Sequence, residues 1–137
     1  MRPTILTLLV ALTLGCSTTP ASTGELRDRD WSLVWVEGFD SLPSGAATPT
    51  IRFGSDGRLG GNTGCNSAGA NYTAEGNRLT IEALISTKRA CLDPQGNALE
   101  RAYIQAVEAT RSYRIADGQL ELLDAGDQVV ARFTLSS

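Results

Sequence analysis

From residue 31 onward apolar and polar positions alternate along the chain. WSLVWVEG (31–38) puts Trp31, Leu33 and Trp35 on one face of an extended strand and Val34 and Val36 on the other. Ile51 and Phe53 alternate with Thr50 and Arg52, and GSDG (54–57) predicts a tight turn into RLGG. Tyr72, a turn at Glu75-Gly76-Asn77, then Leu79 and Ile81 read as a hairpin, and Leu84 to Cys91 can extend it by another strand. Tyr113 and Ile115, then Leu120 and Leu122, then Val129, Ala131, Phe133 and Leu135 supply three more, with turns at Asp117-Gly118 and Asp124 to Asp127. One segment has a different period. Leu99, Ala102, Tyr103, Ala106, Val107 and Thr110 follow the spacing of an amphipathic helix, which Asp93-Pro94 or Asn97 can start. The pattern predicts a β-rich α+β domain over residues 31–137. It would be a curled antiparallel sheet or partly open barrel of about seven to eight strands, with one α-helix covering a face or an end.

The residues before this pattern read differently. Met1-Arg2 is a basic start, Ile5 to Leu14 is a short apolar run, and Gly15-Cys16 precedes a polar Ser/Thr/Pro stretch. These are the parts of a secretory signal over residues 1–15. Thr13-Leu14-Gly15-Cys16 resembles the lipobox of bacterial lipoproteins, departing from it at Thr13, where that family mostly has leucine. The resemblance implies a lipidated Cys16 at the mature N-terminus and a membrane anchor made of two or three acyl chains, each buried methylene adding roughly 0.8 kcal/mol. Residues 16–30 would then be a lipidated tether. By the same resemblance, Ser17 after the cysteine favours the outer membrane, with the domain facing the periplasm.

Composition narrows the chemistry. The 137 residues support one domain, and no run of 18 or more apolar residues argues for a spanning helix. Without residues 1–15 the chain carries eleven basic and fifteen acidic side chains and no block of like charge. It therefore offers no electrostatic footprint for nucleic acid. Histidine is absent altogether. That removes Cys–His and Ser–His–Asp catalysis and the usual nitrogen ligand of zinc or copper. With Cys16 assigned to lipid, Cys65 and Cys91 remain, and exported thiols more often pair than stay free. A bridge between positions 26 apart would remove about 3.5 kcal/mol of unfolded-state entropy. The alternative is a reactive thiol, with Lys88 and Arg89 close by in sequence to stabilise a thiolate, or a metal ligand.

GGNTGCNSAGANY (60–72) is the stretch that most resembles a site. Gly60, Gly61, Gly64 and Gly69 match neither a P-loop nor a dinucleotide fingerprint, and a strand rather than a helix follows them. The stretch reads instead as a loop that constrains the backbone where strands bend. Glu75, Glu82, Asp93, Glu100, Asp117 and Asp124 fall at turns or exposed faces, where solvation is the default. Trp31, Trp35, Tyr72 and Tyr103 are expected in the core.

The order of features is itself informative. Trp31-Ser32-Leu33, Ile51-x-Phe53, Asp56-Gly57-Arg58-Leu59-x-Gly61, Gly64-Cys65-Asn66, Tyr72, Leu79-x-Ile81, Ser86-Thr87, Ala90-Cys91, Glu100-x-x-Tyr103 and Leu120-x-Leu122 follow one another. This series resembles the META/HslJ family of small bacterial envelope domains. The pairing of Gly-Cys-Asn with Thr-x-x-Ala-Cys is its most specific piece, and Arg89 departs from it where many members have methionine. The resemblance implies a β-rich, exported or lipid-anchored domain associated with heat or envelope stress. It implies no enzyme activity and no cofactor. Its structural signature here is Gly64, Cys65, Asn66, Thr87 and Cys91.

The expected protein is a monomeric, non-enzymatic envelope lipoprotein with no catalytic residues and no metal site. It would be stapled by Cys65–Cys91, held to the membrane through Cys16, and would bind an envelope protein or a small molecule. The alternatives are a barrel that encloses small apolar ligands, motivated by the aromatic strand faces, and a thiol-redox protein.

Overall fold

The computed structural model describes residue 15, residues 23–89 and residues 91–137. Cys16 and most of the signal segment lie outside these. Two short elements open the fold: helix α1 (Thr23–Leu26) and strand β1 (Asp30–Val36). They are followed by β2 (Thr50–Phe53), β3 (Arg58–Asn62), β4 (Ser67–Glu75), β5 (Arg78–Ile81) and β6 (Ile85–Ser86). Helix α2 (Pro94–Ala109) separates these from β7 (Ser112–Ala116), β8 (Gln119–Leu123) and β9 (Val129–Leu135). The fold takes in residues ahead of Trp31. Leu26 is fully buried and its carbonyl accepts from Trp31 Nε1 at 3.2 Å, while the Asp28 amide donates to Phe53 O at 2.8 Å. Any tether is thus confined to the residues before Thr23.

Strands pair antiparallel in the order β3-β2-β1-β9-β8-β7-β5-β4, and β4 pairs back onto β3. The expected curled sheet therefore closes into an eight-stranded barrel, which among the described residues leaves no free edge except through β6, a short strand beside β5 on β4. The narrowest seam joins β5 and β7 through Arg78↔Ser112, flanked by Leu79 N to Arg111 O at 2.9 Å and Tyr113 N to Asn77 O at 3.0 Å. A barrel of eight strands is just wide enough for side chains to fill. Here Trp31, Leu33, Ile51, Phe53, Tyr113, Leu120, Leu122 and Phe133 do so, each no more than 2% exposed.

The stripe on α2 completes this core. Leu99, Tyr103, Ala106 and Val107 are buried, and the helix packs against β9, β1 and β8. Asp93 caps it as expected, accepting from Gly96 N at 2.6 Å, with Pro94 in the first turn. Tyr103 packs edge-on to Phe133 and donates its hydroxyl to Thr50 O at 2.9 Å. Burial holds its pKa far above the usual tyrosine range, so it stays a donor throughout the working pH range. The same hydroxyl explains Gly61. A Cβ there would stand 2.3 Å from Thr50 O and 2.8 Å from the Tyr103 hydroxyl. Gly61→Ala should accordingly cost roughly 2 kcal/mol, read as a shift in the denaturation midpoint. An unchanged midpoint would mean that β2 and β3 separate freely.

Two expectations fail at irregularities in the ladder. Register shifts between Leu33 and Trp35 where β1 faces β9, so the extra residue, Val34, reverses the alternation. Val36 turns inward and Trp35 outward, against the expectation of Trp35 in the core. On the outer face Trp35 lies under the Arg132 guanidinium, 5.0 Å from the ring centroid. A second shift between Leu122 and Leu123 places Val130, rather than Val129, in the core.

Arg132 also bonds Glu121 Oε1 at 3.0 Å, and Arg114 Nε bonds Glu121 Oε2 at 2.7 Å. Partial burial pushes the Glu121 pKa up, but hydrogen bonds from Arg132 and Arg114, and their charges, outweigh it and hold the carboxyl below its ordinary 4.5. A depressed folded pKa contributes stability above the unfolded value, and that stability is lost as pH falls through the folded one. Wild type should therefore melt above Glu121→Gln at pH 7, with the gap closing under acid. A gap that widens on acidification would contradict the pairing.

Candidate functional site

The glycine-rich stretch is a hairpin rather than a loop. Gly60, Gly61 and Asn62 belong to β3, Ser67 to Tyr72 belong to β4, and only Thr63 to Asn66 connect them. The connection is tied internally. Thr63 N donates to Asn66 O at 2.8 Å, Asn66 N donates to Thr63 Oγ1 at 3.1 Å, and Gly64 N donates to Asn62 Oδ1 at 2.7 Å. Gly64 sits at φ +107°, a conformation that side chains oppose, and a Cβ there would approach Ala47 O to 3.1 Å.

Asn66 is 3% exposed and uses its whole amide. Nδ2 donates to Arg89 O at 2.7 Å and to Glu100 Oε1 at 2.6 Å. Oδ1 accepts from Thr87 Oγ1 at 2.8 Å and from Arg89 N at 2.9 Å. The Arg89 backbone offers one donor and one acceptor in fixed positions, which sets the orientation of the amide. Thr63, fully buried, sends its hydroxyl proton to Glu100 Oε1 at 2.7 Å. Cys65 and Cys91 are joined in a disulfide with Cα atoms 5.5 Å apart. Asn97 then grips Cys91 from the helix, its Oδ1 accepting from Cys91 N at 3.1 Å. Past Thr87, whose amide still donates to Ser67 O at 3.1 Å, Arg89 and Cys91 are thus held by side chains rather than by a ladder. That is why the strand expected from Leu84 to Cys91 shrinks to Ile85–Ser86.

Beside this knot lies an open cavity of about 470 Å³. Its walls come from Gly45 to Ala47, from Thr63 to Cys65, from Arg89 and Cys91 to Asp93, and from Gly96 and Leu99 on α2. Leu92 is entirely exposed at its rim, and the Arg89 side chain, also exposed, forms no ion pair among the described residues. With both sulfurs bonded to each other, neither is a thiolate in this state.

The family model of the META domain matches residues 24–137. The chain belongs to the META domain family. No curated protein matches it in sequence. Among solved structures, an NMR structure of a protein from Burkholderia xenovorans superposes with a TM-score of 0.65 at 24% identity, covering 97% of this chain and 99% of its own. Another protein solved by NMR gives 0.66 at 23% identity over 84% and 95%. A DUF4847 family protein from Bacteroides vulgatus gives 0.55 at 16% identity over 82% and 96%. At such identities these likenesses establish the fold alone.

Within the META domain, the signature residues Gly64, Cys65, Asn66, Thr87 and Cys91 meet in one knot joining the β3–β4 hairpin to the segment ahead of α2. Glu100, expected to be solvated, is instead half-buried and carries two hydrogen bonds within it. One signal was available. Glu100 lies next to buried Leu99 and one turn before buried Tyr103, at the border of the apolar stripe. Of the four aromatics expected in the core, Trp31, Tyr72 and Tyr103 are there.

Proposed function

We propose that this META domain protein is a lipid-anchored, non-enzymatic binding module of the bacterial envelope, serving stress tolerance by engaging a partner through the cavity beside Cys65–Cys91. The observation that carries the reading is the cavity itself. Four chain segments build it, and a disulfide and a saturated asparagine amide hold two of them together. A wall fixed in advance costs little ordering entropy when it is occupied. Leu92 offers apolar surface, and Arg89 offers a cation at the rim. This combination suits an apolar group with an acidic neighbour. A chain without histidine, whose Cys65 and Cys91 are bonded to each other, supports recognition over turnover. An internal apolar ligand is the weaker reading, because the barrel is filled by its own side chains.

The test uses the full chain in cells. A photoreactive side chain at Leu92 should give one dominant adduct that Arg89→Glu abolishes, and Cys16→Ala should move the protein from the membrane to the soluble fraction. Labelling at Leu92 no greater than at exposed Glu75, at the end of β4, would sink the binding role. A Cys16→Ala protein that stays on the membrane would sink the anchor.

A further inference from the structure

Cys65 Sγ, Cys91 Sγ and a Glu100 carboxylate oxygen all lie within 4.8 Å of one another. Two sulfurs alone do not make a zinc site, but a third donor completes the number that zinc takes from protein when its fourth position stays open. The carboxylate is also held in place from behind. Thr63 and Asn66 both donate to Oε1, and Oε2 accepts no hydrogen bond among the described residues. Outer donors that fix a ligating carboxylate are a regular part of metal sites. Cys65 and Cys91 line the open cavity, and so does Arg89.

We infer that the reduced protein holds a thiophilic divalent cation of the zinc type through Cys65, Cys91 and Glu100, with the fourth position open to the cavity. The site and the staple are alternative states of the same two sulfurs. Two equivalents of a thiol reductant, RSH, break the Cys65–Cys91 bond, giving two cysteine thiols and RSSR. The cation then binds both thiolates and the carboxylate, and the two thiol protons pass to solvent. A tetrahedral zinc with bonds of about 2.3 Å to sulfur needs its sulfurs ~3.7 Å apart. Side-chain rotation reaches that spacing from Cα atoms 5.5 Å apart without moving the backbone. Two thiolates, one carboxylate and a dication sum to one negative charge, which the guanidinium of Arg89 at the cavity rim offsets in part.

The experiment uses the full chain, purified in detergent, reduced and kept anaerobic. It is titrated with zinc against a chromophoric chelator, and with cobalt(II) as the spectroscopic probe. One equivalent should bind, with the intense visible bands of tetrahedral cobalt and a sulfur-to-cobalt charge-transfer band. Glu100→Gln should weaken binding at least about tenfold. Cys65→Ser with Cys91→Ser should abolish it. Reduced wild type that binds no tighter than the double serine variant overturns the assignment, as does a Glu100→Gln protein that binds like wild type. Circular dichroism covers the case in which reduction alone unfolds the chain. Zinc must then restore the fold, and a chain that stays unfolded in zinc overturns the assignment equally.

Discussion

Asn66→Ala is expected to destabilise the protein by about 3 kcal/mol, because four hydrogen bonds of 2.6 to 2.9 Å end on one buried amide. Four full desolvation penalties would overstate the loss. Thr87 and Glu100 are only partly covered and can turn to water, whereas the Arg89 amide and carbonyl stay where the disulfide and β6 hold them. At about 5 °C per kcal/mol, the melting temperature should fall by roughly 15 °C. Asn66→Asp separates hydrogen bonding from shape. It keeps the acceptor facing Arg89 N and Thr87, but sets a second carboxylate against Glu100 Oε1, where Nδ2 now sits at 2.6 Å. Like charges that close raise the pKa of the pair, so the penalty is full at neutral pH and is relieved as pH falls through the raised value. The Asp variant should therefore melt below the Ala variant at pH 7 and above it near pH 4. Parallel melting curves across that range would mean that Glu100 does not face the amide in solution.

That amide also marks how far the chain can be read without coordinates. Period-two alternation over Ile51, Phe53, Leu79, Tyr113, Leu120 and Phe133 reports burial on one side of a strand, and those positions are buried. The stripe from Leu99 to Val107 reports a helix face in the same way. Both signals are local. The bulge at Val34 is not, since it exists only in the register of β1 against β9, roughly a hundred residues later. Hence Trp35, apolar and in phase with Trp31 and Leu33, lies outside the barrel. Closure is equally non-local, resting on β1 pairing with β9 and on one pair between β5 and β7. Gly64, Cys65, Asn66, Thr87 and Cys91 stood out as a set, yet residue types alone do not say that the Asn66 side chain takes the Arg89 backbone, 23 positions away. Glu100 escaped because a carboxylate on a helix flank has the same sequence signature whether it faces water or a buried threonine.

Opening the disulfide is expected to cost about as much, roughly 3.5 kcal/mol for a sequence separation of 26. The entropy in question belongs to the unfolded chain. In the folded domain the bridge repeats ties that Asn66 and Asn97 already make to Arg89 and Cys91, so the reduced protein should stay folded with its knot in place. This distinction predicts the outcome of a cycle. If the bridge acts on the unfolded state and the amide on the native one, reduction and Asn66→Ala add to within about 0.5 kcal/mol. The combined loss of roughly 6.5 kcal/mol is a large share of the 5 to 15 kcal/mol that domains possess, and reduced Asn66→Ala protein should be partly unfolded at room temperature. Denaturation of the four forms in the presence of a chelator, which keeps metal from replacing the bridge, measures each term. A combined loss well above the sum would mean that the two ties share one native job, and that Arg89 and Cys91 swing away only when both are gone. If reduction moved the midpoint by less than the equivalent of 1 kcal/mol, residues 65–91 would already be constrained in the unfolded chain, with β4 and β5 the hairpin that constrains them.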